Sequence, residues 1–201
     1  MTSTKIDITS DDNPSSATWN DDLQFDELFH PGRRLSLSKF KSQLYIHIRE
    51  YYKLNDVEKP GKKGIALTVN RLKHLWSNIE EVDDALQQLK MGTPCSGEDG
   101  TVYKQHLGGG IYLSINQQYP GVDIRKFWRP SNCLSIAPSK TGIFIPISQW
   151  ASLKDKLKDL YGKYPKLDFV ETCLHQNQLA FLDCSECCPF NNLDSDYSAE
   201  I

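Results

Sequence analysis

The stretch Leu44-Tyr45-Ile46-His47-Ile48-Arg49-Glu50-Tyr51-Tyr52 decides the fold. Leu44, Ile46 and Ile48 share one face of an extended chain, and Tyr45, His47 and Arg49 share the other. Such period-two alternation marks a half-buried strand, and the face with Arg49 is the open one. Upstream, Arg34 to Lys39 alternates as well, with Leu35 and Leu37 on one side. Downstream, Lys59-Pro60-Gly61-Lys62-Lys63-Gly64 reads as a basic turn and Gly64 to Leu67 as a short strand. Thr68 then caps a helix with the apolar stripe Leu72, Leu75, Trp76, Ile79, Val82, Leu86 and Leu89, which Gly92 and Pro94 end.

The same order recurs further along the chain. Leu37-Ser38 returns as Leu113-Ser114, Ile48-Arg49 as Ile124-Arg125, and Tyr52 as Trp128, all 76 residues on. Lys62-Lys63-Gly64-Ile65 returns as Lys140-Thr141-Gly142-Ile143, and Leu75 as Leu153, now 78 residues on. The added two residues are expected in the Pro/Ser-rich stretch between Trp128 and Gly142. Trp150, Leu153, Leu157, Leu160 and Tyr161 repeat the helical stripe, with Pro146 or Ser148 at its start and Gly162 and Pro165 at its close. Two copies of a small unit follow. A unit of roughly 60 residues buries little core alone, so pairing through the helices is expected.

The expected organisation has five parts. Residues 1–30 form an acidic, disordered tail, 31–90 the first repeat, and 91–110 a glycine-rich linker. Residues 111–165 form the second, divergent repeat and 166–201 an acidic, Cys-containing extension. Leu167 to Leu182 is too apolar for a free tail and is expected to pack on the second repeat.

Charge follows the same division. The chain has 201 residues and a net charge of −3, which by itself argues against a polyanion partner. Residues 31–90 hold 12 Lys/Arg against 7 Asp/Glu, and residues 111–165 hold 8 against 3. Each end, 1–30 and 166–201, holds 1 against 7. Basic blocks between acidic ends suit a polyanion binder whose tails compete with its ligand. No apolar run approaches the ~20 residues of a membrane helix. The polar start of the chain lacks the apolar centre of a secretory signal.

The segment from Arg34 to Leu89 resembles the transcriptional positive cofactor 4 family of single-stranded-DNA-binding coactivators. The resemblance rests on Leu35-Ser36-Leu37-Ser38-Lys39-Phe40-Lys41, on Ile46-His47-Ile48-Arg49-Glu50-Tyr51-Tyr52, on Lys59-Pro60-Gly61-Lys62-Lys63-Gly64-Ile65, and on the acidic helix with Val82-Asp83-Asp84-Ala85. Residues 111–160 resemble the same domain more weakly. The resemblance implies an α+β fold of two repeats. Each is a four-stranded antiparallel curved sheet followed by one α-helix, and the two pair as an intrachain pseudo-dimer. A nuclear location and transcription-machinery partners come from the same resemblance.

It also implies contacts to unpaired strands from Phe40, Lys41, Arg49, Tyr52, Lys62 and Lys63, with Arg33 near a basic position before the first strand. Arg125, Trp128 and Lys140 carry the site into the second repeat. There Asn116 and Gln117 replace Phe40 and Lys41, Tyr119 is a substitute aromatic, and the basic turn thins to Pro138-Ser139-Lys140-Thr141-Gly142. The second repeat is therefore expected to serve mainly as the partner of the first. The chemistry is coherent without the family. Aromatic faces stack on unpaired bases at roughly 1–3 kcal/mol each, and Lys and Arg meet phosphates with release of counterions. Stacking tolerates any base, so little sequence specificity is expected. The bland reading of Tyr52 and Trp128 as core aromatics, and of Lys62-Lys63 as a solvated turn, is outweighed by their recurrence at matched places. Trp76 and Trp150 belong to the helical stripes, and His47 and His74 receive no special role.

Six cysteines complete the inventory: Cys95, Cys133, Cys173, Cys184, Cys187 and Cys188. Reduced free thiols are the expected reading. The weaker alternative is zinc held by Cys173, Cys184, Cys187 and Cys188, at poor spacing. Neither a metal nor another cofactor is expected. P-loop, G-x-S-x-G, zincin and deaminase signatures are absent from the sequence, so no enzyme is expected. The function expected is non-catalytic binding of single-stranded or melted DNA by a transcriptional coactivator, with RNA as ligand and higher oligomers left open. The alternative is a protein-interaction module of the same fold without nucleic-acid binding.

Overall fold

A computed structural model describes residues 23–92, 99–130 and 135–170. The first half is a four-stranded antiparallel sheet of β1 (Asp26–His30), β2 (Arg33–Phe40), β3 (Gln43–Leu54) and β4 (Val57–Thr68), in that order. Helices α1 (Val69–Ser77) and α2 (Ile79–Lys90) follow. The second half repeats the plan with β5 (Thr101–Gly108), β6 (Ile111–Asn116), β7 (Tyr119–Trp128) and β8 (Ala137–Pro146) in one sheet, then helix α3 (Ile147–Lys163). A short 3-10 turn, Pro165–Phe169, closes the described chain. Among the described residues no helix is long and apolar enough to cross a membrane.

Strand patterning is as the alternation demands. Leu44, Ile46 and Ile48 are buried, while Tyr45, His47 and Arg49 between them are not. Tight turns join the long strands. Lys41-Ser42 and Asn55-Asp56 all have positive φ, 47° and 64° then 51° and 61°, which suits two-residue hairpins matched to strand twist. Two strands lie outside the expected boundaries. β1 occupies the end of the segment read as tail, and β5 lies within the segment read as linker. Both are edge strands with weak alternation, so nothing local announces them. They supply the fourth strand of each sheet.

The strand registers place the halves on a common numbering. Ile48 stands opposite Leu35 and Ile65, and Arg49 opposite Gly64. Ile124 stands opposite Leu113 and Ile143, and Arg125 opposite Gly142. Leu113 therefore corresponds to Leu35 and not to Leu37, so the offset in β2 and β6 is 78 residues, not 76. The irregularity between Ser114 and Asn116 absorbs the difference. A shift of two residues leaves every side chain on its own face, so the alternation could not reveal it.

The first helix breaks at Asn78, where one continuous helix was expected. Asn78 Nδ2 and Ser77 Oγ donate to the His74 carbonyl, at 2.7 and 3.2 Å. Side chains that take a helix carbonyl weaken the ladder locally. Tyr103 of the second half then donates to Asn78 Oδ1 at 3.0 Å. Thr68 is the N-cap, accepting from the Arg71 amide at 3.4 Å. Pro146 holds the equivalent place before α3 without a side-chain bond.

One apolar core spans both halves, with Leu35, Ile46, Leu72, Leu75 and Val82 from the first and Leu113, Ile124, Leu153, Leu157 and Leu160 from the second. The pairing is reciprocal, since α1 packs on β5 and α3 packs on β1. This is the arrangement of a two-fold dimer drawn within one chain. Leu167, in the 3-10 turn, is buried in the same core, and Lys73 of α1 bonds the Asp168 and Val170 carbonyls at 2.6 and 2.8 Å. Residues beyond Val170 lie outside the described chain. The helices cover the inner faces of both sheets, leaving the outer faces open.

Candidate nucleic-acid interface

Arg49 is the centre of the first outer face. Its Nη1 donates to the Gly61 carbonyl at 2.8 Å. To reach it the side chain lies across Gly64, where an added Cβ would stand 2.8 Å from Arg49 Cγ. The glycine is therefore a seat for the arginine. Arg125 uses the same device. Its Nη1 donates to the Ser139 carbonyl at 3.0 Å, and a Cβ on Gly142 would come within 2.9 Å of its Cα and Cβ. The recurrence of Gly64 and Gly142 was legible in the sequence, but their function as seats was not.

Around Arg49 the face is mixed. His47 Nε2 lies 2.7 Å from Ser38 Oγ. Burial and the Arg49 charge hold the His47 imidazole below its ordinary value, so it is neutral at pH 7. Arg34 stands opposite Arg49, paired with Asp26 at 3.1 Å and with Glu58, and its guanidinium lies 5.4 Å from the Tyr51 ring centroid. The Glu58 hydrogen bond, opposed by desolvation and aided by Asp26, raises the Arg34 pKa. At the hairpin end Phe40 is 61% exposed, with Lys41 Nζ 5.4 Å from its ring centroid. Phe40 and Arg49 are separated by about six strand positions, roughly 20 Å.

The other expected residues divide. Lys62 and Lys63 are exposed on β4, and Lys63 approaches Glu50 at 3.8 Å. Tyr52 is 51% exposed, but alternation along β3 places it with Glu50 and not with Arg49 and Tyr51. Arg33 joins none of them. It is the cross-strand partner of Glu50, at 2.6 Å, and donates to the Phe144 carbonyl and Gln149 Oε1 of the second half, both at 2.9 Å. Arg33 ties the halves together, because its strand position points it to the inner side.

The second outer face differs in content. Arg125 donates from Nε and Nη2 to both carboxylate oxygens of Asp123, at 2.8 and 2.9 Å. The Asp123 hydrogen bond, against some desolvation, raises the Arg125 pKa. Asp123 stands where the first half has His47, a position to which the sequence assigns no role. Trp128 is half-buried at the end of β7, and Lys140 is exposed on β8. All six cysteines, including Cys173, Cys184, Cys187 and Cys188, lie outside the described residues. Among the described residues no three His, Cys, Asp or Glu side chains gather as metal ligands.

Fold and site define the class: a helix-paired, two-sheet protein with a basic, partly aromatic outer face on its first half. Residues 31–78 match the family model of Transcriptional Coactivator p15 (PC4), so the first half carries a domain of that family. The RNA polymerase II transcriptional coactivator KIWI of Arabidopsis thaliana is 37% identical over 57 residues, 28% of this chain and 53% of that protein. The coactivator KELP of the same plant is 33% identical over 58 residues, 29% of this chain and 35% of that protein. The chain thus spans about half or less of these relatives. A crystal structure of a MoSub1–ssDNA complex is 31% identical, covering 42% of this chain and 99% of that one, with a TM-score of 0.32.

Proposed function

We propose that the protein binds single-stranded DNA, or the unpaired strands of melted duplex, on the outer face of its first sheet, and acts without catalysis as a nuclear transcriptional coactivator. The observation that carries this reading is the seat of Arg49, inside the segment that matches the coactivator family. Among the described residues no carboxylate pairs with this guanidinium, which donates to the Gly61 carbonyl. Its remaining N–H groups can serve a phosphate. Exposed Phe40 supplies a stacking face on that side, and Lys41, Lys62 and Lys63 extend the positive surface. The coactivator role and nuclear site draw on the relatives' names. The domain limits 31–90 and 111–165 are kept in this reading as repeat cores, with β1 and β5 added to them.

Titration of labelled single- and double-stranded oligonucleotides at two salt concentrations tests the reading. A salt-sensitive preference for single strands is expected, lost in the double variant Phe40→Ala, Arg49→Ala. RNA of the same sequence distinguishes the sugar. Absence of binding at low salt would overturn the reading in favour of a protein-interaction module.

A further inference from the structure

The two outer faces share the arginine seat and differ in its neighbour two residues upstream. Residues i and i−2 of a strand share a face, so His47 stands beside Arg49 and Asp123 beside Arg125. Asp123 engages Arg125 through both carboxylate oxygens, with the two side chains 25% and 23% exposed. The Nε and Nη2 edge it occupies is the fork a phosphate would use. A phosphate arriving there would have to break a charge-assisted pair and lie against the displaced carboxylate, a like charge.

The aromatics beside Arg125 are closed as well, while Tyr119 at the hairpin end is 68% exposed. Tyr112 and Phe127 pack edge to face at 5.1 Å and are each 8% exposed. Lys104 Nζ caps them, 5.2 and 4.4 Å from the two ring centroids. Their counterparts in the first half are Arg34 and Tyr51. At the hairpin, Asn116 and Gln117 stand in place of Phe40 and Lys41.

We infer that each chain holds one strand, on the first outer face, and that Asp123 is the residue that keeps phosphate off the second. The inference rests on the strand-binding reading of the first face. It makes the pseudo-dimer a one-sided binder, unlike a pair of identical subunits with two equal faces.

The test is the number of oligothymidines of about six nucleotides, short for one site, bound per full-length chain, read by native mass spectrometry and calorimetry. The wild-type chain should bind one. Asp123→His, which copies His47, should bind two. Arg49→Ala should lose its strand, with at least a tenfold fall in affinity, and Arg49→Ala, Asp123→His should regain one. Asp155→His makes the same charge change on an exposed position of α3 and should match the wild type. Two strands on the wild-type chain, or no strand gained on Asp123→His in either background, would overturn the inference. A wild-type chain that binds none, with one gained in Asp123→His, would overturn the reading of the first face and leave the role of Asp123 standing. No strand on any variant would overturn both.

Discussion

Trp150 donates its indole N–H to Asp83 at 2.7 Å, and so joins the helix of the second half to that of the first. Asp83 also pairs with Lys154. On the common numbering, with an offset of 78, Lys154 corresponds to Trp76 and Asp83 to Tyr161. Those two residues meet as well, with ring centroids 4.7 Å apart. One pseudo-symmetric contact is thus ionic and its mate aromatic. Pairing two first halves would set Trp76 against Asp83 twice. The helix interface is matched between the halves and mismatched within either kind.

Replacement of Asp83 by Ala should therefore destabilise the whole chain. Trp150 is 3% exposed, so its N–H would be left unpaired in the core. The loss should be about 1.5–3 kcal/mol, the range for hydrogen bonds to charged groups. Thermal unfolding should fall by about 3–12 °C, given roughly 2–4 °C per kcal/mol for this size. An unchanged midpoint would deny the contact this weight.

The ionic member of the pair should show coupling. Lys154→Asp sets two carboxylates together at Asp83 and should lower the urea midpoint. Asp83→Lys with Lys154→Asp restores opposite charge and should recover part of that loss. Absence of recovery in the double-mutant cycle would show that the pair does not set the match.

Gly64→Ala should separate binding from folding. The new Cβ would stand 2.8 Å from Arg49 Cγ and 3.1 Å from its Cα, so the side chain and the strand beneath it must both give, and a stability cost of about 1–3 kcal/mol is expected with the fold retained. Displacing Arg49 should cost several-fold in single-strand affinity and reduce the slope of log affinity against log salt by about 0.7, one phosphate contact. Gly142→Ala, at the seat of Arg125, should leave affinity within twofold. Equal losses in both variants would contradict a one-sided binder.

His47 should give a pH signature. Its folded pKa lies below the ordinary 6.5, first through burial and then through the Arg49 charge. The neutral form is the stable one in the fold, so the contribution is complete above about pH 6.5. It is lost as pH falls from there through the lowered folded value, where the unfolded chain takes up a proton first. Urea midpoints measured from pH 7.5 to 5 should fall less steeply in His47→Gln than in the wild type. Parallel curves would assign the slope to other groups.

Residues 1–22 carry one lysine against five aspartates. As tethered anions they should compete with DNA for the basic face, so their deletion should tighten single-strand binding at low salt and less so at high salt. The cut must stop short of β1, which begins at Asp26. Unchanged affinity would remove the competition.

Much of this protein is legible in its residues. Alternation from Leu44 to Glu50, the stripes of α1, α2 and α3, the Thr68 cap and the paired Arg-Gly positions of the two halves all follow from local periodicity and spacing. The edge strands β1 and β5 do not, because a short edge strand needs only a neighbour to pair with and carries a weak pattern of its own. The resemblance places Arg33 near a basic position before the first strand, but it does not show that its guanidinium meets Glu50, Phe144 and Gln149. The register of β6 escaped because a two-residue shift leaves the faces unchanged.

The sequence by itself determined two repeats, their strand-then-helix order and the basic character that a net charge of −3 conceals. Only the tertiary structure decided that Asp123 closes on Arg125 in the second outer face. Asp123 and His47 are both polar residues on the open side of a strand, alike to any periodicity. Their difference lies in what each does beside an arginine that a glycine seat holds in place, since Asp123 takes the Arg125 fork and His47 bonds Ser38, and those contacts exist only once the strands have paired.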